Sequence, residues 1–171
     1  MTNILQAQKF ISTKGRDIIG IDGKLFLIKG TNLGNWLVPE GYMFKFQDIN
    51  SGRLIDQCFN ELIGPDATKA FWKKYLDVYI AKDDIHYLKS IGMNSIRIPF
   101  NYRLFTNENY MGSNDATRGF TYLDRVIGWC KAEGLYVILD MHCAPGGQTG
   151  DNIDDGYGYP FLFESAESRS L

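Results

Sequence analysis

The sequence of 171 residues contains little of what marks several classes of protein. Its three cysteines show no C-x-x-C spacing, so they indicate neither a disulfide framework nor a zinc site. Its net charge of −2 gives no electrostatic attraction to nucleic acid or to anionic membranes. No apolar run approaches the roughly 18 residues that cross a bilayer. We therefore expect neither a nucleic-acid partner nor a membrane partner.

The amino-terminal residues Met1–Gln6 also lack the apolar region and the small-residue cleavage site of a signal peptide. The sequence leaves the localisation open: a cytoplasmic protein is expected unless a secretion signal has been removed. No shift in composition and no Pro/Ser-rich linker divides the chain, so residues 1–171 are predicted to form a single domain.

The first part of the chain predicts short strands and a long loop. Two β-like runs flank Asp22-Gly23, a dipeptide typical of hairpin turns, and predict a β-hairpin over residues 15–28. A strand is predicted to end near Asn32, where apolar residues give way to glycine and asparagine. The segment 36–66 is predicted to be irregular, and it is longer than an ordinary βα loop.

Helices and strands alternate through the rest of the chain. Apolar periodicity predicts helices over 71–80, 83–91 and 121–133. Thr121 is predicted to open the last of these in a capping box, and Gly134 to end it. Strands are predicted from Met93, halted by Pro99, and over 135–141. Such alternation implies parallel pairing through right-handed crossovers, which leaves a barrel or a doubly wound sheet.

The most informative segment extends from Leu135 to Gln148. Its apolar residues show no polar alternation, as in a strand that is buried on both faces, and they lead into Asp140, His142 and a glycine-rich loop. In parallel α/β folds, ligands bind at the carboxyl ends of the strands. We therefore expect one shared neighbourhood for the segments 32–40, 97–102 and 140–152.

Two charged groups in this neighbourhood allow alternative interpretations. Arg97 lies in an apolar strand and should have a carboxylate partner, either in a buried ion pair or as the group that keeps a catalytic carboxylate ionised. A metal site through Asp140 and His142 is conceivable, but the sequence offers no evident third ligand. A metal site is therefore not predicted.

Four motifs occur in a familiar order: Gly34-Asn-Trp-Leu-Val-Pro-Glu40, Gly92-Met-Asn-Ser-Ile-Arg97-Ile-Pro-Phe, Tyr122-Leu-Asp-Arg-Val and Gly134-Leu-Tyr-Val-Ile-Leu-Asp-Met-His142-Cys-Ala-Pro-Gly. Together they resemble glycoside hydrolase family 5, the cellulase family, and within it the fungal exo-1,3-β-glucanases. The resemblance extends over roughly residues 15–160.

The resemblance implies a (β/α)8 barrel, of which this chain would supply the amino-terminal portion, namely the hairpin and about three βα units. It also implies an O-glycosyl hydrolase without a cofactor, which cleaves β-linked oligosaccharides or glucosides with retention by means of two glutamates. By the same resemblance, Arg97 orients and ionises the nucleophile, His142 hydrogen-bonds the sugar, and Glu40 holds sugar hydroxyls. Asn152 matches a substrate-binding asparagine across a one-residue gap, with Asp151 beside it.

The catalytic glutamates of the family have no match in this sequence, which contains no Asn-Glu-Pro. We expect both to lie downstream of Leu171, so that no catalytic residue is present and Arg97 lacks its carboxylate partner. Such a truncated domain should be inactive, poorly folded or self-associating, with the inner faces of 96–98 and 135–141 exposed. The alternative is a self-contained, non-catalytic carbohydrate-binding α/β module.

Overall fold

The computed structural model describes residues 10–171, so the segment Met1–Gln6 considered above lies outside the described residues. Within that range, the strands β1 (Ser12–Lys14) and β2 (Asp17–Ile19) form an antiparallel pair. A separate parallel sheet contains β3 (Gly30–Asn32), β4 (Ser95–Asn101) and β5 (Tyr136–Cys143), in the order β3-β4-β5. The predicted α/β architecture with a parallel sheet is confirmed.

Helices connect the strands of the parallel sheet. Between β3 and β4 the chain forms α1 (Gly52–Ile63), α2 (Pro65–Val78) and α3 (Lys82–Ser90). Between β4 and β5 it forms α4 (Arg118–Glu133), and after β5 it forms α5 (Phe161–Glu164). Short 3₁₀ helices follow β4 at Tyr102–Phe105 and precede α5 at Asn152–Asp154. Among the described residues, none of the helices is long and apolar enough to cross a membrane.

The amino-terminal hairpin differs in position from the predicted one over residues 15–28. The regular antiparallel ladder joins β1 to β2, earlier in the chain. The predicted turn at Asp22-Gly23 closes only an isolated antiparallel bridge between Ile19 and Leu25. A type I′ turn requires positive φ at both central residues, whereas here Gly23 has a φ of 78° and Asp22 is not in the left-handed region.

Helix α1 lies within the segment 36–66, for which the prediction of irregular structure is wrong. Ser51 caps this helix, and its hydroxyl oxygen accepts a hydrogen bond from the amide of Leu54 at 3.5 Å. Apolar residues recur at helical spacing from Leu54 through Ile55 and Cys58 to Phe59. Ile55 is fully buried, so this stripe faces the core.

Three other predicted boundaries also differ. Helix α2 begins at Pro65, because proline suits the first helical position. Helix α4 begins at Arg118, which places Thr121 inside the helix rather than at its cap; Gly134 does end it, with a φ of 66°. Strand β4 continues through Pro99, which pairs with Asp140. Strand β3 ends opposite Arg97, and the next bridge on that edge of β4 joins Phe100 to Leu37, so Pro99 lies in a gap between paired residues on that edge.

The core lies between the parallel sheet and its helices. Its fully buried side chains come from the sheet, from the helices and from the loop after β3, and include Trp36, Leu37, Ile55, Trp72, Ile96, Ile98 and Val126. Ile96 and Ile98 are fully buried, whereas the side chain of Arg97, on the opposite face of β4, is 35% exposed. The exposure expected for the inner face of 96–98 is therefore wrong for the two isoleucines. Exposure is found on β5, where Ile138, Leu139 and Met141 are 39%, 49% and 51% exposed.

Candidate substrate-binding site

The carboxyl ends of the three parallel strands and the loop after β3 border an open cavity of about 290 Å³. Three residues that the sequence analysis singled out, Glu40, Arg97 and His142, line it together. Asn32 and Tyr42 also line it. The structure therefore brings together a carboxylate, a guanidinium and an imidazole from three different segments of the chain.

Glu40 is held in place by the loop that follows β3. The side-chain oxygen of Asn35 accepts a hydrogen bond from the Glu40 amide at 2.9 Å. Trp36 is fully buried in the same loop and donates its indole N–H to the Leu76 carbonyl at 3.0 Å. Because this loop is packed into the core, the position of the Glu40 backbone is fixed.

Arg97 has a carboxylate partner within the described structure. Its Nη2 lies 2.5 Å from Oδ2 of Asp140, and its Nη1 donates to Oδ1 of Asn32 at 3.3 Å. The expectation that Arg97 lacks a carboxylate is therefore wrong. The strand register explains the pairing: Arg97 is opposite Ile138, and Asp140 follows two residues later on the same face of β5.

His142 shares this carboxylate. Its Nδ1 lies 2.9 Å from Oδ2 of Asp140 and 3.2 Å from Nη2 of Arg97. The carbonyl of His142 accepts a hydrogen bond of 2.5 Å from the side-chain amide of Gln148, whose oxygen accepts from the Ala144 amide at 3.1 Å. The glycine-rich loop therefore holds the end of β5 and, with it, the imidazole.

Asn152 and Asp151 lie elsewhere in the described structure. Asn152 donates its side-chain N–H to the Asn50 carbonyl at 3.2 Å. Asp151 is exposed and caps the short 3₁₀ helix, where its carboxylate accepts from the Asn152 amide at 2.7 Å. Neither residue lines the cavity with Glu40 and His142, so their substrate-binding role stays a prediction.

A buried ion pair between Arg103 and Asp155 fixes the loop after β5. The Asp155 carboxylate pairs with Arg103 and also accepts hydrogen bonds from the Arg53 amide at 2.9 Å and the Asn101 side chain at 3.3 Å. Burial is the largest single influence and lowers the pKa of Arg103, but the Asp155 carboxylate together with Tyr102, Tyr157 and Glu108 outweighs it, so the pKa lies above its usual value. The sequence analysis missed this pair.

Sequence reasoning also missed the roles of Asn32 and Asp140 in orienting Arg97, although both lay in segments predicted to converge. Tyr42 is 66% exposed and lines the cavity beside Glu40.

Among the described residues, no group of three His, Cys, Asp or Glu side chains lies close enough to hold a metal ion. The chemistry available to the cavity is hydrogen bonding and charge, which suits a ligand rich in hydroxyl groups.

The sequence profile of the family described as Cellulase (glycosyl hydrolase family 5) matches residues 57–159. A β-xylosidase from Phanerodontia chrysosporium is 34% identical over 143 residues, which are 83% of this chain and 29% of the relative. A probable glucan 1,3-beta-glucosidase A from Aspergillus terreus is 35% identical over 126 residues, which are 72% of this chain and 30% of the relative. The chain thus spans about 30% of the length of these curated relatives.

The fold is also similar to that of a solved structure, the rutinosidase from Aspergillus niger. The alignment has a TM-score of 0.66 and 23% sequence identity, and it covers 82% of this chain and 40% of the rutinosidase. The similarity supports a shared fold.

Proposed function

This chain belongs to the cellulase family, glycosyl hydrolase family 5, and we propose on that basis that it forms the substrate-binding, amino-terminal part of a retaining hydrolase of β-glucans or β-glucosides. The observation that carries the proposal is the cavity shared by Glu40, Arg97 and His142 at the carboxyl ends of parallel strands. Sites of barrel enzymes are built at this end of the sheet.

The side chains of the cavity suit a sugar. Sugar hydroxyls both donate and accept hydrogen bonds, and the cavity offers the carboxylate of Glu40 as an acceptor, the guanidinium of Arg97 as a donor and the imidazole of His142. Tyr42 adds an exposed aromatic ring at the same cavity. The named substrates of the relatives, a glucan and a xyloside, support the class of β-glycosides.

We assign the two catalytic glutamates to strands outside these 171 residues. A (β/α)8 barrel has eight parallel strands, whereas the parallel sheet described here has three. Leu139 and Met141 leave β5 partly uncovered, which suits a neighbouring βα unit. The share of the relatives that the chain spans, about 30%, agrees with about three βα units.

A chimaeric enzyme tests this proposal. In it, the chain replaces the matching segment of the Aspergillus terreus glucan 1,3-beta-glucosidase A, and hydrolysis of an aryl β-glucoside is measured. We expect the chimaera to be active and the 171-residue chain alone to be inactive. A chimaera that melts cooperatively but shows no turnover would favour a non-catalytic carbohydrate-binding module. Turnover by the chain alone would refute the assignment of the glutamates.

A further inference from the structure

Asp140 was not among the substrate-binding residues expected from the sequence, yet it contacts two of them. We propose that Asp140 is a positioning residue that accepts the Nδ1 proton of His142, so that His142 meets a substrate hydroxyl through the lone pair of Nε2. The inference rests on the proposed function, because it gives the imidazole the part of a hydrogen-bond acceptor in that same cavity.

The distances around Nδ1 decide where the proton lies. Oδ2 of Asp140 is 2.9 Å from Nδ1 of His142, and Nη2 of Arg97 is 3.2 Å away. An ionised carboxylate only accepts hydrogen bonds and a guanidinium only donates them. If Nδ1 accepted a hydrogen bond from Arg97, Nδ1 would carry no proton, and its lone pair would lie only 2.9 Å from the carboxylate oxygen of Asp140. Two acceptors would then face each other, which is unfavourable. With a proton on Nδ1, the shorter contact is a hydrogen bond to the charged carboxylate.

Arg97 does not need His142 as an acceptor. Its Nη2 already donates to Asp140 at 2.5 Å, and its Nη1 donates to Asn32 at 3.3 Å. A carboxylate oxygen has lone pairs enough to accept from both Arg97 and His142. The shared oxygen of Asp140 therefore fixes the guanidinium and the imidazole relative to each other.

This arrangement leaves Nε2 available to a ligand. Among the described residues, Nε2 of His142 has no hydrogen-bond partner, and the side chain is 28% exposed and lines the cavity. In a neutral imidazole one nitrogen donates and the other accepts. A proton held on Nδ1 thus makes Nε2 an acceptor, which selects a substrate hydroxyl able to donate.

The second histidine of the chain supplies an internal control. His86 places its Nδ1 3.1 Å from Oε1 of Glu133, but its side chain is 71% exposed, and within residues 10–171 no arginine shares the carboxylate. The chain contains only these two histidines. Nitrogen-15 spectra of the 171-residue chain labelled at histidine therefore contain two sets of ring signals, and the signals distinguish the Nδ1-protonated from the Nε2-protonated form.

We expect neutral His142 to be protonated at Nδ1 in the wild-type chain. Asp140→Ala should abolish that signal, because it removes the shared oxygen and leaves Nη2 of Arg97, which can only donate, 3.2 Å from Nδ1, so that the proton moves to Nε2. Glu133→Ala is the matched control and should change only the signals of His86. Thermal melting by circular dichroism shows whether each variant is folded.

An Nε2-protonated His142 in the wild-type chain would overturn the inference, and so would an unchanged tautomer in folded Asp140→Ala. If that variant does not fold, the wild-type spectrum still decides. Because the tautomer is read without turnover, an inactive chimaera with Nδ1-protonated His142 would refute the proposed function and leave the positioning role supported. An active chimaera with Nε2-protonated His142 would refute the positioning role alone.

Discussion

The ion pair between Arg103 and Asp155 offers a quantitative test of how the loop after β5 is held. The two side chains are 9% and 3% exposed. Replacement of Asp155 by asparagine removes the charge but retains a similar shape. Asp155 has a φ of 56°, and asparagine tolerates this left-handed conformation. The substitution therefore measures the loss of the carboxylate rather than added backbone strain.

The expected loss follows from the burial of Arg103. Removal of one partner from a buried ion pair costs about 3–5 kcal/mol, because the other charge is left uncompensated. Arg103 keeps its contacts with Glu108 and with Tyr157, both at 3.0 Å, and Glu108 is 43% exposed. We therefore expect Asp155→Asn to lower the free energy of unfolding by about 3 kcal/mol, at the lower end of that range.

Urea denaturation of the 171-residue chain, followed by far-ultraviolet circular dichroism, measures this loss in a background that carries Leu139→Lys and Met141→Lys to reduce self-association through the exposed face of β5. Lys73→Ala is the control, because it breaks an ion pair with Asp77 in which the lysine is 77% exposed. Exposed pairs contribute about 0–1 kcal/mol. If Asp155→Asn were no more destabilising than Lys73→Ala, the carboxylate would not be compensating a buried charge, and the reasoning would fail.

Three further predictions concern other parts of the chain. Burial raises the pKa of the Cys130 thiol to about 11 and raises that of Cys143 further. Mass spectrometry should therefore show that iodoacetamide modifies the half-buried Cys58 first at neutral pH, and equal rates of modification of the three cysteines would contradict this. Gly134→Ala should lower the free energy of unfolding by about 1 kcal/mol, because alanine is strained at a φ of 66°. Urea denaturation measures this loss, and an unchanged midpoint would show that alanine is not strained at this position. The chain should self-associate in size-exclusion chromatography through the exposed face of β5, and lysines at Leu139 and Met141 should reduce this; a monomeric wild-type chain would contradict it.

The sequence predicts the order of the parallel strands well, because that order follows from local apolar patterns. Strand β5 and the end of α4 at Gly134 are defined by an uninterrupted apolar run and by a glycine suited to left-handed backbone. The convergence of Arg97 and His142 then follows from topology, since parallel strands end at the same edge of the sheet. Helix α1 was missed because its apolar stripe lies between residues that favour loops.

Pairings between side chains depend on register, which local patterns do not determine. The contact between Arg97 and Asp140 requires that Arg97 lie opposite Ile138, and a slip of one residue would turn Asp140 to the other face. The pair of Arg103 with Asp155 joins residues separated by 52 positions. The hydrogen bond from Asn152 to Asn50 joins residues separated by 102 positions. These contacts were therefore beyond sequence reasoning.

The kinetics of His142→Ala in the chimaeric enzyme test most directly whether the cavity binds the sugar. Loss of one positioned hydrogen-bonding group at an enclosed site typically lowers turnover about 100-fold. We predict a loss of that order in kcat/KM for an aryl β-glucoside, with little change in melting temperature, since the side chain of His142 is only partly buried. Unchanged kcat/KM with a lowered melting temperature would contradict the account and make His142 a purely structural residue.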